Sequence, residues 1–160
     1  FPLLRASKGL VVNIGSVSGV LTTPYAGAYC ASKAAVHALS NALRMELAPF
    51  SIEVMEVQPG AIASQFGANA SQHAKQVINE SSPWWPLREG VLARANVSQE
   101  NPTPASAFAD DLLRAAQRSP RPRLLRLGNG SHKLPLIAQL TPQGMLEKGL
   151  MKRFGLNRKL

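Results

Sequence analysis

The chain has 160 residues, 45% of them hydrophobic: enough for one folded domain with a core, and too apolar for a disordered segment. Its single cysteine, Cys30, excludes a disulfide framework and suits a reducing compartment such as the cytoplasm. No apolar run approaches the roughly 20 residues of a membrane-spanning helix. The formal charge of +9 is localised: residues 1–110 carry 7 basic and 7 acidic side chains, whereas residues 111–160 carry 11 and 2. A final third this basic is either a solvated positive face or a contact for an anionic partner.

In chain order, the opening "FPLLRASKGL" has neither a starting methionine nor the layout of a signal peptide, so it reads as an internal segment. Residues 9–16, "GLVVNIGS", form a β-branched run that predicts a buried strand, followed by a loop through Gly19, Pro24 and Gly27. The spacing of Val36, Leu39, Leu43 and Leu47 predicts a helix from Tyr29 to about Leu47, closed by Pro49. A second strand is expected over residues 51–60, punctuated by Pro59-Gly60, which completes a parallel strand–helix–strand unit. Residues 61–104 show no clean period and read as a long insertion with some helix. Residues 103–119 predict a helix with Thr103 as its N-cap, Pro104 in the first turn and Phe108, Leu112 and Leu113 as its apolar stripe. A short strand is expected over 124–127, and residues 132–140 are ambiguous. Thr141-Pro142 opens a last helix with Leu146, Leu150 and Phe154 on one side and Lys148, Lys152 and Lys159 opposite.

The chemistry begins at "AYCASKAAV", residues 28–36. Tyr29 and Lys33 stand at i and i+4, on one helix face and one turn apart. A phenol with a reference pKa near 10 is almost wholly protonated at neutral pH, and an ammonium beside it favours the phenolate. That pairing makes a phenol a usable proton donor and acceptor. Ser16, thirteen residues upstream, sits at the exit of the first strand, where parallel sheets place reacting groups. Its hydroxyl can hydrogen-bond a substrate oxygen while Tyr29 exchanges a proton. Without that context, Ser16 is a turn serine and Lys33 a surface lysine passing a packed tyrosine.

"NIGSVSG", then "YCASK", then "VQPGAIAS" together resemble the catalytic half of the short-chain dehydrogenase/reductase family, closely over residues 9–66. More loosely, residues 103–119 and the "RLGNG" that follows are similar to a branch with 1-acyldihydroxyacetone-phosphate reductases and steroid or retinol reductases. The resemblance implies an α/β, Rossmann-like, doubly wound parallel sheet, represented by its C-terminal part with the N-terminal dinucleotide-binding half missing. It divides the chain into a catalytic segment (1–66), a substrate lid (67–102) and a C-terminal helix, strand and basic tail (103–160). It implies hydride transfer between NAD(P)H and a carbonyl or alcohol, with an apolar or lipid-like ketone as substrate, and the branch favours NADP(H) over NAD(H).

Carried over by position, Tyr29 is the acid/base, Lys33 supports it and binds the nicotinamide ribose, and Ser16 holds the substrate carbonyl. Pro59 and Gly60 turn beneath the nicotinamide. Ile62 meets its carboxamide through the main chain, and Ser64 stands where the family often has threonine. Trp84 and Trp85 fall in the lid and could line an apolar pocket. Ala31, Ala34, Ala35, Ala38 and Ala42 leave room on the helix for another element, which in the family is often a partner subunit, so a homo-oligomer is expected of the intact protein. The family's glycine-rich turn for the pyrophosphate has no counterpart: the glycines of "IGSVSGV" open a proline-containing loop, not a helix.

Two rival readings are weaker. "GSVSG" puts Val17, not serine, at the centre of a hydrolase elbow, and His73 and His132 lack a clear acidic partner, so both histidines, like His37, read as ordinary surface or core residues. A non-enzymatic module, or an inactive fragment that binds through its basic tail, is the alternative to an oxidoreductase. Nucleic acid is an unsuitable partner because interleaved aromatics and known motifs are lacking. The lysine-bearing last helix fits peripheral contact with an anionic membrane better. No metal is expected.

Overall fold

A computed structural model describes residues 1–159. Three parallel strands carry the fold: β1 (Leu10–Ile14), β2 (Glu53–Pro59) and β3 (Leu124–Leu127), in the order β1-β2-β3. The chain enters through a short helix, α1 (Pro2–Ser7), that the sequence did not signal, with Pro2 in its first turn. The 21-residue α2 (Gly27–Leu47) connects β1 to β2, as the apolar spacing requires. The register pairs Val12 with Met55 and Ile14 with Val57, then Val57 with Leu125 and Pro59 with Leu127.

Period two divides the sheet between two layers. Met55 and Val57 point to one face and pack with Leu10, Leu125 and, from α5 (Ala105–Ala116), Phe108, Leu112 and Ala115. Glu56 and Gln58 are also buried, although both are polar. They lie on the opposite face, towards α2. Among the described residues β1 pairs with β2 alone, and Val12 and Ile14 are exposed near the open edge.

The stretch without a clean period holds two helices, α3 (Phe66–Val77) and α4 (Arg88–Asn96), packed on each other. Its helical content exceeds the sequence expectation. After the short strand come α6 (Lys133–Leu140), which resolves the ambiguous segment, and α7 (Gln143–Arg153). Leu146 and Leu150 are half-buried and Phe154 is buried, whereas Lys148, Lys152 and Lys159 are exposed, as the spacing predicts. One local expectation is corrected. Thr103 does not cap α5, because Pro104 holds that position and Thr103 instead bridges to Ile62 and accepts the Asn129 N–H. Pro59-Gly60 closes β2 as expected, and the chain beyond stays tied to the segment after β3, with Gly60 N–H donating to Leu127 O and Ala61 N–H to Asn129 O.

Candidate active site

α2 lays one stripe of side chains along the C-terminal end of β1. Tyr29, Lys33 and His37 follow at intervals of four, so each stands one turn above the last. Lys33 Nζ donates to Ile14 O at 3.0 Å and lies 6.0 Å from the centre of the Tyr29 ring. Two residues on, the buried Ser16 donates its backbone N–H to His37 Nε2 at 3.4 Å. Ser16 Oγ accepts the Ser18 N–H at 3.1 Å, which caps the single 3-10 turn Val17–Gly19. The serine proton is thereby left for another acceptor. The Tyr29 hydroxyl has no hydrogen-bond partner among the described residues, and its ring meets Phe66 of α3 at 5.3 Å.

This approach of strand exit to helix needs glycine. A Cβ on Gly15 would lie 2.5 Å from His37 Nε2, and one on Gly19 would lie 2.4 Å from His37 Cε1 and 2.8 Å from the Lys33 carbonyl carbon. Beneath the stripe runs a row of polar groups between α2 and the sheet. Glu56 Oε1 is 3.5 Å from His37 Nε2 and accepts from Gln58 Nε2 at 2.6 Å, while Gln58 Oε1 accepts from Arg126 Nε at 3.0 Å. Asn13 reaches Ser40 at 2.9 Å in the same layer. His37 Nε2 can accept from Ser16 or donate to Glu56, according to its tautomer, and so links the serine loop to this row. Sequence reading missed His37, Glu56 and Gln58. The available signals were the third repeat of the four-residue interval and two polar residues at period two in an otherwise buried strand.

The "QPGAIAS" segment leaves the sheet at the same end. Gly60 is crowded by the neighbouring loop: a Cβ there would lie 2.1 Å from Asn129 O. Ala61 and Ala63 N–H groups are both bonded, but the Ile62 N–H between them has no acceptor among the described residues. Ser64 Oγ accepts the Phe66 N–H at 3.4 Å as α3 begins. Trp84 is 51% exposed and meets Tyr25 edge-on at 6.2 Å, whereas Trp85 lies under the Arg88 guanidinium. The aromatic side chain that packs on Tyr29 is Phe66, and nothing in its sequence context singled it out. Among the described residues, no group of three or more His, Cys, Asp or Glu is placed to hold a metal. No helix there is long and apolar enough to cross a membrane.

The loop between Ser16 and Tyr29 is fastened at Tyr25, whose hydroxyl donates to Phe154 O at 3.1 Å. Burial pushes the Tyr25 phenol above its ordinary value near 10, with the Arg158 guanidinium pulling the other way. A phenol that is harder to ionise when folded leaves stability level up to about pH 10 and lowers it above, because the unfolded chain releases its proton first. The urea midpoint is therefore expected to fall above about pH 10, and Tyr25→Phe to remove that component. The same fall in the variant would exclude Tyr25 as its source.

Comparison with known proteins points the same way. The family model described as short chain dehydrogenase matches residues 1–75. The NADPH-dependent 1-acyldihydroxyacetone phosphate reductase of Saccharomyces cerevisiae is 29% identical over 156 residues, which are 97% of this chain and 51% of that protein. The Schizosaccharomyces pombe protein of the same name is 35% identical over 109 residues, 68% of this chain and 36% of that one. The crystal structure of a short-chain dehydrogenase from Streptomyces avermitilis superposes with a TM-score of 0.66 at 27% identity, covering 93% of this chain and 55% of that chain. The chain thus spans about half the length of the first of these relatives. The motif order, the parallel sheet and these likenesses together support a member of the short-chain dehydrogenase/reductase family, matched over part of its length.

Proposed function

We propose that this chain carries the proton-transfer centre of an NADP(H)-dependent oxidoreductase that interconverts a carbonyl and an alcohol. The observation that carries the reading is the α2 stripe, in which Tyr29 and Lys33 share one face and Lys33 is tied to the strand carbonyl two residues before Ser16. Ser16, whose Oγ already accepts from Ser18, donates its free proton to the substrate carbonyl oxygen. Tyr29 delivers the proton that completes the alcohol, and its otherwise unbonded hydroxyl is available to do so. Lys33 keeps two N–H donors beyond the one on Ile14 O, which suit the ribose hydroxyls of a nicotinamide nucleotide. The open Ile62 N–H suits the carboxamide oxygen, with Pro59, Gly60 and Ser64 flanking it. The dihydronicotinamide supplies the hydride when bound.

The residues present fit the nicotinamide end of such a cofactor. They do not fit its pyrophosphate, because the glycines after β1 lead into a 3-10 turn and loop instead of a helix N-terminus. The yeast likeness supports NADPH over NADH and a lipid-like carbonyl. Phe66 supplies an apolar surface against Tyr29, and the half-exposed Trp84 a second beside Tyr25. Following reduced-nicotinamide absorbance with apolar ketones and each reduced nucleotide tests the function. No oxidation of either nucleotide with any ketone would sink it.

Two partner proposals accompany this reading. α2 exposes Ala31, Ala34, Ala35 and Ala38, with Leu39 56% and Met45 72% exposed, a surface suited to a second copy. Leu39→Glu together with Met45→Glu is expected to turn a dimer into a monomer in light scattering. A monomer before substitution would dismiss the dimer. The exposed Lys148, Lys152 and Lys159 of the basic tail suit anionic lipid headgroups, and co-sedimentation with phosphatidylserine vesicles should be lost in high salt. Equal sedimentation with neutral vesicles would discount the charges.

A further inference from the structure

Arg94, near the end of α4, is only 7% exposed. Its Nε donates to Thr23 Oγ1, in the loop that joins Ser16 to Tyr29. An arginine cannot shed its charge, and a guanidinium withdrawn from water without a counter-ion is unfavourable. Yet among the described residues Arg94 has no carboxylate partner: the ion pairs there are His37–Glu56, Arg114–Asp111, Arg121–Glu53 and Arg153–Glu100. Its two Nη groups find no acceptor there either. Since no side-chain nitrogen or oxygen among the described residues is both sealed from solvent and unpartnered, those Nη groups keep some contact with solvent while the rest of the side chain is packed. The result is a held guanidinium that presents its free edge.

Its surroundings add positive charge. Gly90, one turn back on the same helix face, packs against Phe154 O and the Tyr25 hydroxyl. Arg158 lies close enough to act on Tyr25 and donates to Pro86 O. Of the acids in this region, Glu100 is paired with Arg153 at 2.7 Å, and the exposed Glu89 lines the cavity beside Gly90 together with Lys152, Arg153 and Arg158, where basic groups outnumber it. The loop that Arg94 grips is the one bounded by the serine and the tyrosine, and the neighbouring α3 supplies the Phe66 ring against Tyr29.

We propose that Arg94, fixed by Thr23, is an anion-recognition residue that binds a compact oxyanion, phosphate or carboxylate, carried by the carbonyl substrate. This rests on the reading of the Ser16–Tyr29 loop as the border of the substrate site. A planar fork of N–H donors matches two oxygens of such a group, and partial withdrawal from water strengthens the contact. The assignment makes the substrate amphiphilic at one end, with its reacting carbonyl between the anion and the apolar lid.

Equilibrium binding tests this without turnover, at constant ionic strength, with dihydroxyacetone phosphate, pyruvate and neutral dihydroxyacetone as probes. At least one anionic probe should bind about ten-fold or more tighter than the neutral one, and which of the two does so tells phosphate from carboxylate. Arg94→Gln should remove that preference and Arg94→Lys restore part of it. Should Arg94→Gln fail to fold by circular dichroism, Thr23→Val keeps the charge but frees the side chain, and should weaken anion binding by a smaller factor. Equal affinity for all three probes, or an anion preference unchanged in Arg94→Gln or in Thr23→Val, would overturn the proposal. Tyr29→Phe should leave anion binding intact, so a failure of the catalytic assignment reads differently from a failure of this one.

Discussion

Tyr29→Phe is expected to lower turnover by about 10²- to 10⁴-fold, the usual contribution of a positioned proton donor. Dinucleotide affinity should stay largely intact. The substitution is clean because the Tyr29 hydroxyl makes no hydrogen bond among the described residues, while its ring keeps the contact with Phe66 at 5.3 Å. Folded stability should therefore hardly change, and any loss in rate reports on chemistry. Steady-state kinetics with circular dichroism on the same preparations separates the two, and a variant with full activity would refute the acid/base assignment.

Met55→Ala is the substitution expected to damage the fold most, by about 2–5 kcal/mol in urea unfolding. Met55 is fully buried at the centre of the middle strand. It joins Val57 and Ala115 in the core, with Leu10, Phe108, Leu112 and Leu125 around them, so few neighbours can move in to fill a void. Because α5 meets the sheet there, the loss should fall on the helix layer opposite α2. A change below about 1 kcal/mol would mean that this layer repacks freely.

Much of this architecture was legible because it is local. The four-residue spacing from Tyr29 to Lys33, the apolar period of α2 and the β-branched run of β1 each predict their own element, and adjacency of the elements predicts the parallel unit. α3 and α4 were not legible in the same way. α3 reads "FGANASQHAKQV", largely small and polar, and its place is set by packing on α4 and by the contact of Phe66 with Tyr29. The polar row under α2 lay between these cases. Glu56 and Gln58 are visible as an oddity in a buried strand, but their partners His37 and Arg126 come from 19 residues before Glu56 and 68 after Gln58, distances at which spacing rules say nothing. Arg94 and Thr23, 71 residues apart, are the same kind of case.

The crowding of Gly15 and Gly19 by His37 has an evolutionary corollary, because the three positions cannot vary independently. At Gly15 the close obstacles are His37 side-chain atoms at 2.5 and 2.7 Å, with Val57 O at 3.2 Å, so shortening His37 to alanine should make alanine tolerable at position 15. At Gly19 the obstacles include the helix main chain, with Lys33 C at 2.8 Å and Ala34 N at 2.9 Å, which no side-chain change removes. One glycine is thus conditional on the histidine above it, and the other is obligatory for as long as the helix bearing the tyrosine and lysine lies where it does.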